Sequence, residues 1–136
     1  MATYIEGAMR AVLAGTAAVS DYVGSRIYFH KAPQQATLPC IIYFSVADPH
    51  KPLYMDIDGV KIKAGQRLMQ FTCVSKQSEQ GLGLQQAVLN TLRWLQGTTQ
   101  SFTIEGVEIE NVRQRYEPAD NLYLNDVDAI VEYYET

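Results

Sequence analysis

Two histidines, His30 and His50, and two cysteines, Cys40 and Cys73, are the side chains of this 136-residue chain that could do proton or nucleophile chemistry near neutral pH. A histidine serves as a general base when a serine or cysteine nucleophile stands within reach. Neither histidine here has one in a Gly-x-Ser-x-Gly context, and both read as solvated loop residues. The cysteines are too few and too scattered for a zinc site or a disulfide framework. A catalytic thiol needs exposure and a positive neighbourhood, and both cysteines alternate onto an apolar strand face. Asp56 and Asp58 flank Ile57, and Asp126 and Asp128 share a strand face. Such pairs can hold a metal or relay a proton, but on turns and strands the same spacing serves as solvated surface or edge protection, the reading preferred here. Gly81-Leu82-Gly83 precedes a helix but lacks a third glycine, a Gly-Lys-Ser/Thr step and a surrounding βαβ unit, so it reads as small residues in a weak first turn. No catalytic, cofactor or metal residue is assigned.

Arg113 and Arg115 share a strand face in a chain with nine tyrosines, a mixture that can bind single-stranded nucleic acid. Glu105, Glu108, Glu110 and Glu117 surround them, which makes the local field negative and favours a protein partner. The net charge is -4, unevenly spread: residues 1–104 hold nine Lys/Arg against six Asp/Glu, and residues 105–136 hold two against nine. An acidic chain is a poor match for phosphate backbones, whereas an internal asymmetry suits contacts between proteins.

The elements that position these residues follow from period and punctuation. An apolar content of 47% with 19% charge is that of one globular domain spanning residues 1–136, large enough to fold without metal or disulfide. No apolar run approaches a membrane span, the first residues lack the pattern of a secretory signal, and the default compartment is the cytosol. Thr3 and Glu6 have capping-box spacing ahead of a helix from Tyr4 to Ala14, with Ile5, Ala8, Met9 and Val12 on its apolar stripe and Gly15 as its stop. Thr16 caps a shorter helix ending at Gly24. Strands are expected at Ile27 to Phe29, Cys40 to Ala47 and Gln66 to Ser75, with a projecting hairpin at about 51–64 that turns at Asp58-Gly59. Ser78 caps the main helix, Glu79 to Leu95, whose stripe is Leu84, Val88, Leu92 and Leu95. Then come Phe102 to Ile104, a turn at Glu105-Gly106, a strand from Val107 to about Tyr116 with a bulge near Asn111, and a last strand from Tyr123 to Tyr134. In that last strand Val127, Ala129, Val131 and Tyr133 form the inward set. The order α-β-β-(hairpin)-β-α-β-β predicts an α+β fold, a largely antiparallel mixed sheet with helices packed on one face.

Strand alternation also predicts a register. Placing Phe44 opposite Met69 sets Ile42 against Phe71 and Cys40 against Cys73 on the core face, with Tyr43, Ser45, Gln70 and Thr72 on the other. Tyr43, Leu68, Ile130 and Tyr134 then form an apolar and aromatic set on the face without helices, and such a set needs a cover.

The chain as a whole resembles the bacteriophage tail completion or tail-to-head joining proteins, related in architecture to tail terminators. The resemblance is carried by Val23-Gly24-Ser25-Arg26-Ile27-Tyr28, by the Ala32-Pro33 and Leu38-Pro39 pairs leading into Cys40 to Phe44, by Leu92-Arg93-Trp94-Leu95, and by Asp128-Ala129-Ile130-Val131-Glu132-Tyr133. The hairpin from Lys51 to Ala64 is longer than that family's usual connection, and the carboxyl-terminal part is unusually acidic. The resemblance implies a structural protein of the virion that assembles as a ring, commonly a hexamer. The ring caps the tail tube, meets the head connector and lets DNA pass through its lumen. It implies no catalytic residue and no cofactor. A head-completion or minor tail protein is an alternative within the same class; a small-molecule-binding or enzymatic domain using His30, His50 and Asp56 is the alternative of another class. In a head-to-tail ring two different patches meet, and opposite charges can set how they meet. The interaction residues expected on this basis are Lys61, Lys63, Asp58 and Gly59 of the hairpin, Arg113 and Arg115, and Tyr43 and Tyr134.

Overall fold

The computed structural model of the chain describes residues 4–47, 53–57 and 60–135. Its elements are helices α1 (Ile5–Ala14), α2 (Ala17–Val23) and α3 (Ser78–Arg93), with strands β1 (Ile27–Phe29), β2 (Cys40–Ala47), β3 (Leu53–Ile57), β4 (Val60–Ser75), β5 (Gly97–Thr99), β6 (Phe102–Glu117) and β7 (Leu122–Glu135). All seven strands belong to one sheet in the order β1-β2-β4-β7-β6-β5, with β3 paired to β4 off that path. The β1–β2 pair is parallel and the others antiparallel, so the sheet is mixed. This is the expected α+β fold, but the element order differs. The second arm of the hairpin and the strand expected from Gln66 are one 16-residue strand, β4. Likewise Glu105-Gly106 is no turn: β6 runs through it with a register shift between Ile104 and Gly106, one extra residue taken up as a bulge. The second shift, between Ile109 and Asn111, is the bulge that the phase of Val112 implied.

The core lies between the helices and one sheet face. Ile5, Ala8, Met9 and Leu13 of α1, Val19 and Val23 of α2, and Leu84, Val88, Leu89 and Leu92 of α3 are buried against Ile41, Tyr43, Met69, Phe71, Cys73, Val127, Ala129 and Val131. Leu13 takes the place on the α1 stripe expected for Val12, and Tyr133 packs at the margin of the inward set. Gly24 ends α2 with φ of 57° and ψ of -120°, a positive-φ conformation that glycine adopts at no steric cost, although not the left-handed helical one expected.

The register between β2 and β4 is shifted by one residue from the expected one. Ile41 lies opposite Cys73, Tyr43 opposite Phe71 and Ser45 opposite Met69, while Cys40 pairs with Val74 and Phe44 with Gln70. A one-residue slip exchanges the faces of a strand, so Tyr43 belongs to the core and Ile42 and Phe44 to the opposite face. Tyr43 is 4% exposed and stacks near Phe71, with ring centroids 6.3 Å apart. The segment CIIYFSVA is apolar at both parities, so its alternation names no face; a polar tie from α1 does. Glu6 accepts from Ser45 Oγ at 2.6 Å and from the Arg67 guanidinium, both on the helix side of the sheet. Sliding β2 by one residue would carry Ser45 away from Glu6. Glu6 therefore closes no capping box in α1, whose N-cap, Tyr4, makes no side-chain cap bond; Thr3 lies outside the described residues.

The other helix starts also differ from expectation. Gln77, not Ser78, is the N-cap of α3, and Thr16 at the start of α2 donates its hydroxyl to Val12 O at 2.8 Å instead of capping. Helix α3 stops at Arg93, short of Leu95.

Candidate interaction surface

The sheet face turned away from the helices carries the two arginines the sequence singled out, together with both carboxylates of the Asp126–Asp128 pair. Strand β6 sets Arg113 opposite Asp126 and Arg115 opposite Leu124, so the four charged side chains project on one side. Arg115 donates to Asp126 through Nε at 2.8 Å and through a terminal nitrogen at 3.0 Å, a bidentate fork. Arg113 reaches Asp126 and Asp128, each at 3.3 Å. Thr72 of β4 donates to Asp126 at 2.7 Å, and Gln70 donates to Thr72 at 3.3 Å. The preferred reading of the two aspartates as solvated edge residues is therefore wrong: Asp126 is 1% exposed and is the hub of a network across three strands. The signal was present, since folding the chain back near Asp120-Asn121 brings the two same-face pairs opposite each other, but which face closes over them is a tertiary matter.

Burial pushes the Asp126 carboxyl up, but hydrogen bonds from Arg115 and Thr72, with the charge of Arg115, outweigh it and hold the group below the ordinary carboxylate value. Asp128 goes the other way. Its burial outweighs the pull of Arg113, and one of its oxygens is buried with no hydrogen-bond partner. The signs predict opposite mutational effects. A lowered value means stability that is complete above the unfolded-state value and lost as pH falls through the folded one; a raised value means a cost, present at neutral pH and relieved in acid. Asp126→Asn is expected to destabilise the subunit at neutral pH by about 1–3 kcal/mol, and Asp128→Asn to leave it unchanged or more stable. Both differences should shrink below the carboxylate range. Thermal unfolding at neutral and acid pH checks this, and an Asp126→Asn protein as stable as wild type at neutral pH would refute it.

Helix α3 braces the same strands from the other side. The buried Gln85 amide donates to the carbonyls of Arg113 and Asp126, each at 3.0 Å, and its oxygen lies 3.4 Å from the Gln114 amide that donates to it.

The remaining expected residues are dispersed. Tyr134 and Leu68 are half-buried on the uncovered face, which Ile130, Ile42 and Phe44 share, whereas Tyr43 is in the core. Lys61 lies opposite Asp56, and Lys63 stands between Tyr54 on one side and Glu135 on the other. Asp58, Gly59 and His50 lie outside the described residues. His30, at φ of 68°, lies tilted against Phe29 with ring centroids 4.0 Å apart and stacks toward Phe44 at 6.2 Å. Cys40 and Cys73 are free and buried, and burial raises both thiols, Cys73 strongly, which suits packing and not catalysis. Among the described residues no three of His, Cys, Asp and Glu gather as a metal site, and no helix is long and apolar enough to cross a membrane.

One more feature belongs to this region. Strand β6 pairs with β7 along its length, but β5 covers its other side only at Phe102, Thr103 and Ile104. From Glu105 to Glu117 the sheet ends in an edge that no strand among the described residues occupies.

Among solved structures the chain is similar to a component of a particle described as the virion of a native gene transfer agent, with a TM-score of 0.65 and 12% identity over 98% of this chain and 99% of that one. At that identity the likeness concerns the fold. Comparison with curated proteins gives no match. The family model for tail completion protein gp17 matches residues 7–132, which takes in every helix and strand described above except the first two residues of α1 and the last three of β7. The chain belongs to the tail completion protein gp17 family.

Proposed function

We infer that this protein is a structural part of a phage or phage-like virion, placed at the tail, where it completes the tail and joins it to the head by docking and not by turnover. The match of the family model to residues 7–132 carries this reading. The chemistry of the surface supports it. The arginines and aspartates of the charged network pair with one another inside the subunit, and both thiols are buried. In the proposed assembly identical subunits form a ring, commonly of six, between the tail tube protein and the head connector, with DNA passing through the lumen. The acidic carboxyl-terminal strands of one subunit face the hairpin that carries Lys61, Lys63 and the Asp58-Gly59 turn of the next.

Deleting the gene in a producing strain and counting particles by electron microscopy tests the reading. The expected result is a loss of joined particles, with heads and tails accumulating separately, restored by the wild-type gene in trans. Normal yields of mature particles would overturn it. Lys61→Glu with Lys63→Glu is expected to lower the yield of joined particles, and an unchanged yield would remove the charge contribution of the hairpin.

A further inference from the structure

Trp94 is the single tryptophan of the chain and stands 85% exposed at the end of α3. Tryptophan is highly buried on average and is enriched among the residues that anchor protein interfaces, so an exposed one marks a contact. A socket of fitting chemistry lies at the other end of the same helix. There a cleft of about 230 Å³ opens between the start of α3 and strands β6 and β7, with Leu82, Tyr116 and Tyr123 among its walls. Leu82 and Tyr116 are 42% and 49% exposed, and the Tyr116 and Tyr123 rings tilt against each other with centroids 5.0 Å apart. The volume falls below the ~300–1,000 Å³ of small-molecule sites and suits one large side chain. Asn125 also lines the cleft. It is 3% exposed, yet its amide makes no hydrogen bond among the described residues. A buried amide without a partner is costly, and an indole N–H, which only donates, matches an amide oxygen that has yet to accept.

Helix α3 has 16 residues, a length of about 24 Å, so no subunit can place its own Trp94 in its own cleft. We propose that Trp94 of one subunit seats in the cleft at the start of α3 of the next, its ring against Leu82, Tyr116 and Tyr123 and its indole N–H on the Asn125 amide. The rims agree in charge. Arg93, beside Trp94, is exposed and has no ion pair among the described residues, and Glu79 and Glu117 are exposed beside the cleft. Arg115, the cation that lines the cleft, is held by Asp126. The sheet sets anchor and socket at opposite ends of the subunit. At one end of the β4–β7 ladder Ser75 pairs with the cleft residue Tyr123, and at the other Lys63 pairs with Glu135. The chain leaving Trp94 belongs to this second end: Gln96 donates to the Glu105 carbonyl, and Phe102, which β5 pairs with, lies opposite Glu135. Because two different patches meet, the contact is head-to-tail and propagates; a ring is its closed form. This deepens the proposed function, since it rests on the subunit assembling with copies of itself.

The test links copies around the seated ring and leaves Trp94 and the cleft walls in place. Each variant chain carries two cysteines and is used to produce particles under mild oxidation. One stands at the cleft rim, Ser78→Cys, Glu79→Cys or Glu117→Cys; the other stands beside the anchor, Arg93→Cys or Asn90→Cys, the latter one turn before Trp94 on the same helix face. Within one copy the paired positions on α3 lie roughly 16 Å or more apart, beyond the ~7 Å that a disulfide spans. The expected result is a ladder of disulfide-linked multiples of the chain mass from at least one combination, and none from chains with either cysteine alone. Particles that incorporate the variants yet show no cross-link at any combination would overturn the seating of Trp94 while leaving the tail role intact. A series that stops at two chains would show mutual insertion, and a cross-link from Arg93→Cys or Asn90→Cys alone would show like ends meeting; either overturns the head-to-tail contact. Trp94→Ala is expected to lower the yield of joined particles about tenfold or more with the unfolding midpoint of the subunit unchanged, because the exposed ring supports no core. An unchanged yield overturns the proposal. Particles that are complete yet lack the chain altogether would overturn the tail role and this contact together.

Discussion

Tyr43→Ala is expected to lower the unfolding free energy of the isolated subunit on the order of 3–5 kcal/mol, while Phe44→Ala costs about 1 kcal/mol or less. The two residues are neighbours in β2 and similar in size, so their difference measures which face the strand buries. Tyr43 is enclosed between Phe71, with ring centroids 6.3 Å apart, and Phe29 at 5.2 Å, and truncation leaves a cavity that these rings cannot fill without moving. Phe44 projects on the uncovered face, where it is half-buried. Urea unfolding followed by circular dichroism gives both values. Equal losses, or a larger loss for Phe44, would place β2 in the other register, with Phe44 against the helices.

Gly81→Ala carries the second large effect, and its sign is the informative part. In an ordinary first turn of a helix this change stabilises by up to about 1 kcal/mol, because alanine gives up less conformational freedom than glycine. Gly81 is buried where α3 crosses the sheet, and a Cβ built on it meets Ser75 Oγ at 2.5 Å and the Asn125 amide nitrogen at 2.8 Å. Neither neighbour gives way easily. Asn125 is 3% exposed, and Ser75 is fully buried and donates to the Gln77 carbonyl at 2.9 Å, the residue that caps α3. Accommodating the methyl group therefore requires α3 to lift from β4 and β7, at a cost of about 1–3 kcal/mol. A stabilised Gly81→Ala protein in thermal unfolding would return this glycine to the role of a weak spot in the first turn. The change should also weaken the Gln85 brace one turn further on, which holds the carbonyls of Arg113 and Asp126.

The surface chemistry and the fold meet in these two positions. Gly81 lets α3 sit close enough for Gln85 to reach β6 and β7, and the register that buries Tyr43 leaves Ile42 and Phe44 beside the Asp126 network. The face without helices thus combines the apolar side chains of Ile42 and Phe44 with the ion pairs of Arg113 and Arg115 to Asp126 and Asp128.

Most of the elements were legible in the residues alone. The main helix, the hairpin signalled by Asp58-Gly59, the inward set Val127, Ala129 and Val131, and the bulge near Asn111 all follow from periodicity and turn chemistry, because those signals are local and the chain has to satisfy them wherever it folds. So did the sharing of one strand face by Arg113 and Arg115, and of another by Asp126 and Asp128. The side of β2 that is buried was open, since Cys40 to Ala47 is apolar at both parities, and the tie of Ser45 and Arg67 to Glu6 is a tertiary contact that distinguishes the two faces. Tertiary structure also converted two aspartates expected in solvent into the centre of a network, by bringing β4, β6 and β7 side by side, and it left the edge of β6 beyond Ile104 without a partner strand among the described residues. Pairing between strands distant in sequence decides such features: a side chain's spacing along its own strand sets which face it shares, and the partner strand sets whether that face is enclosed.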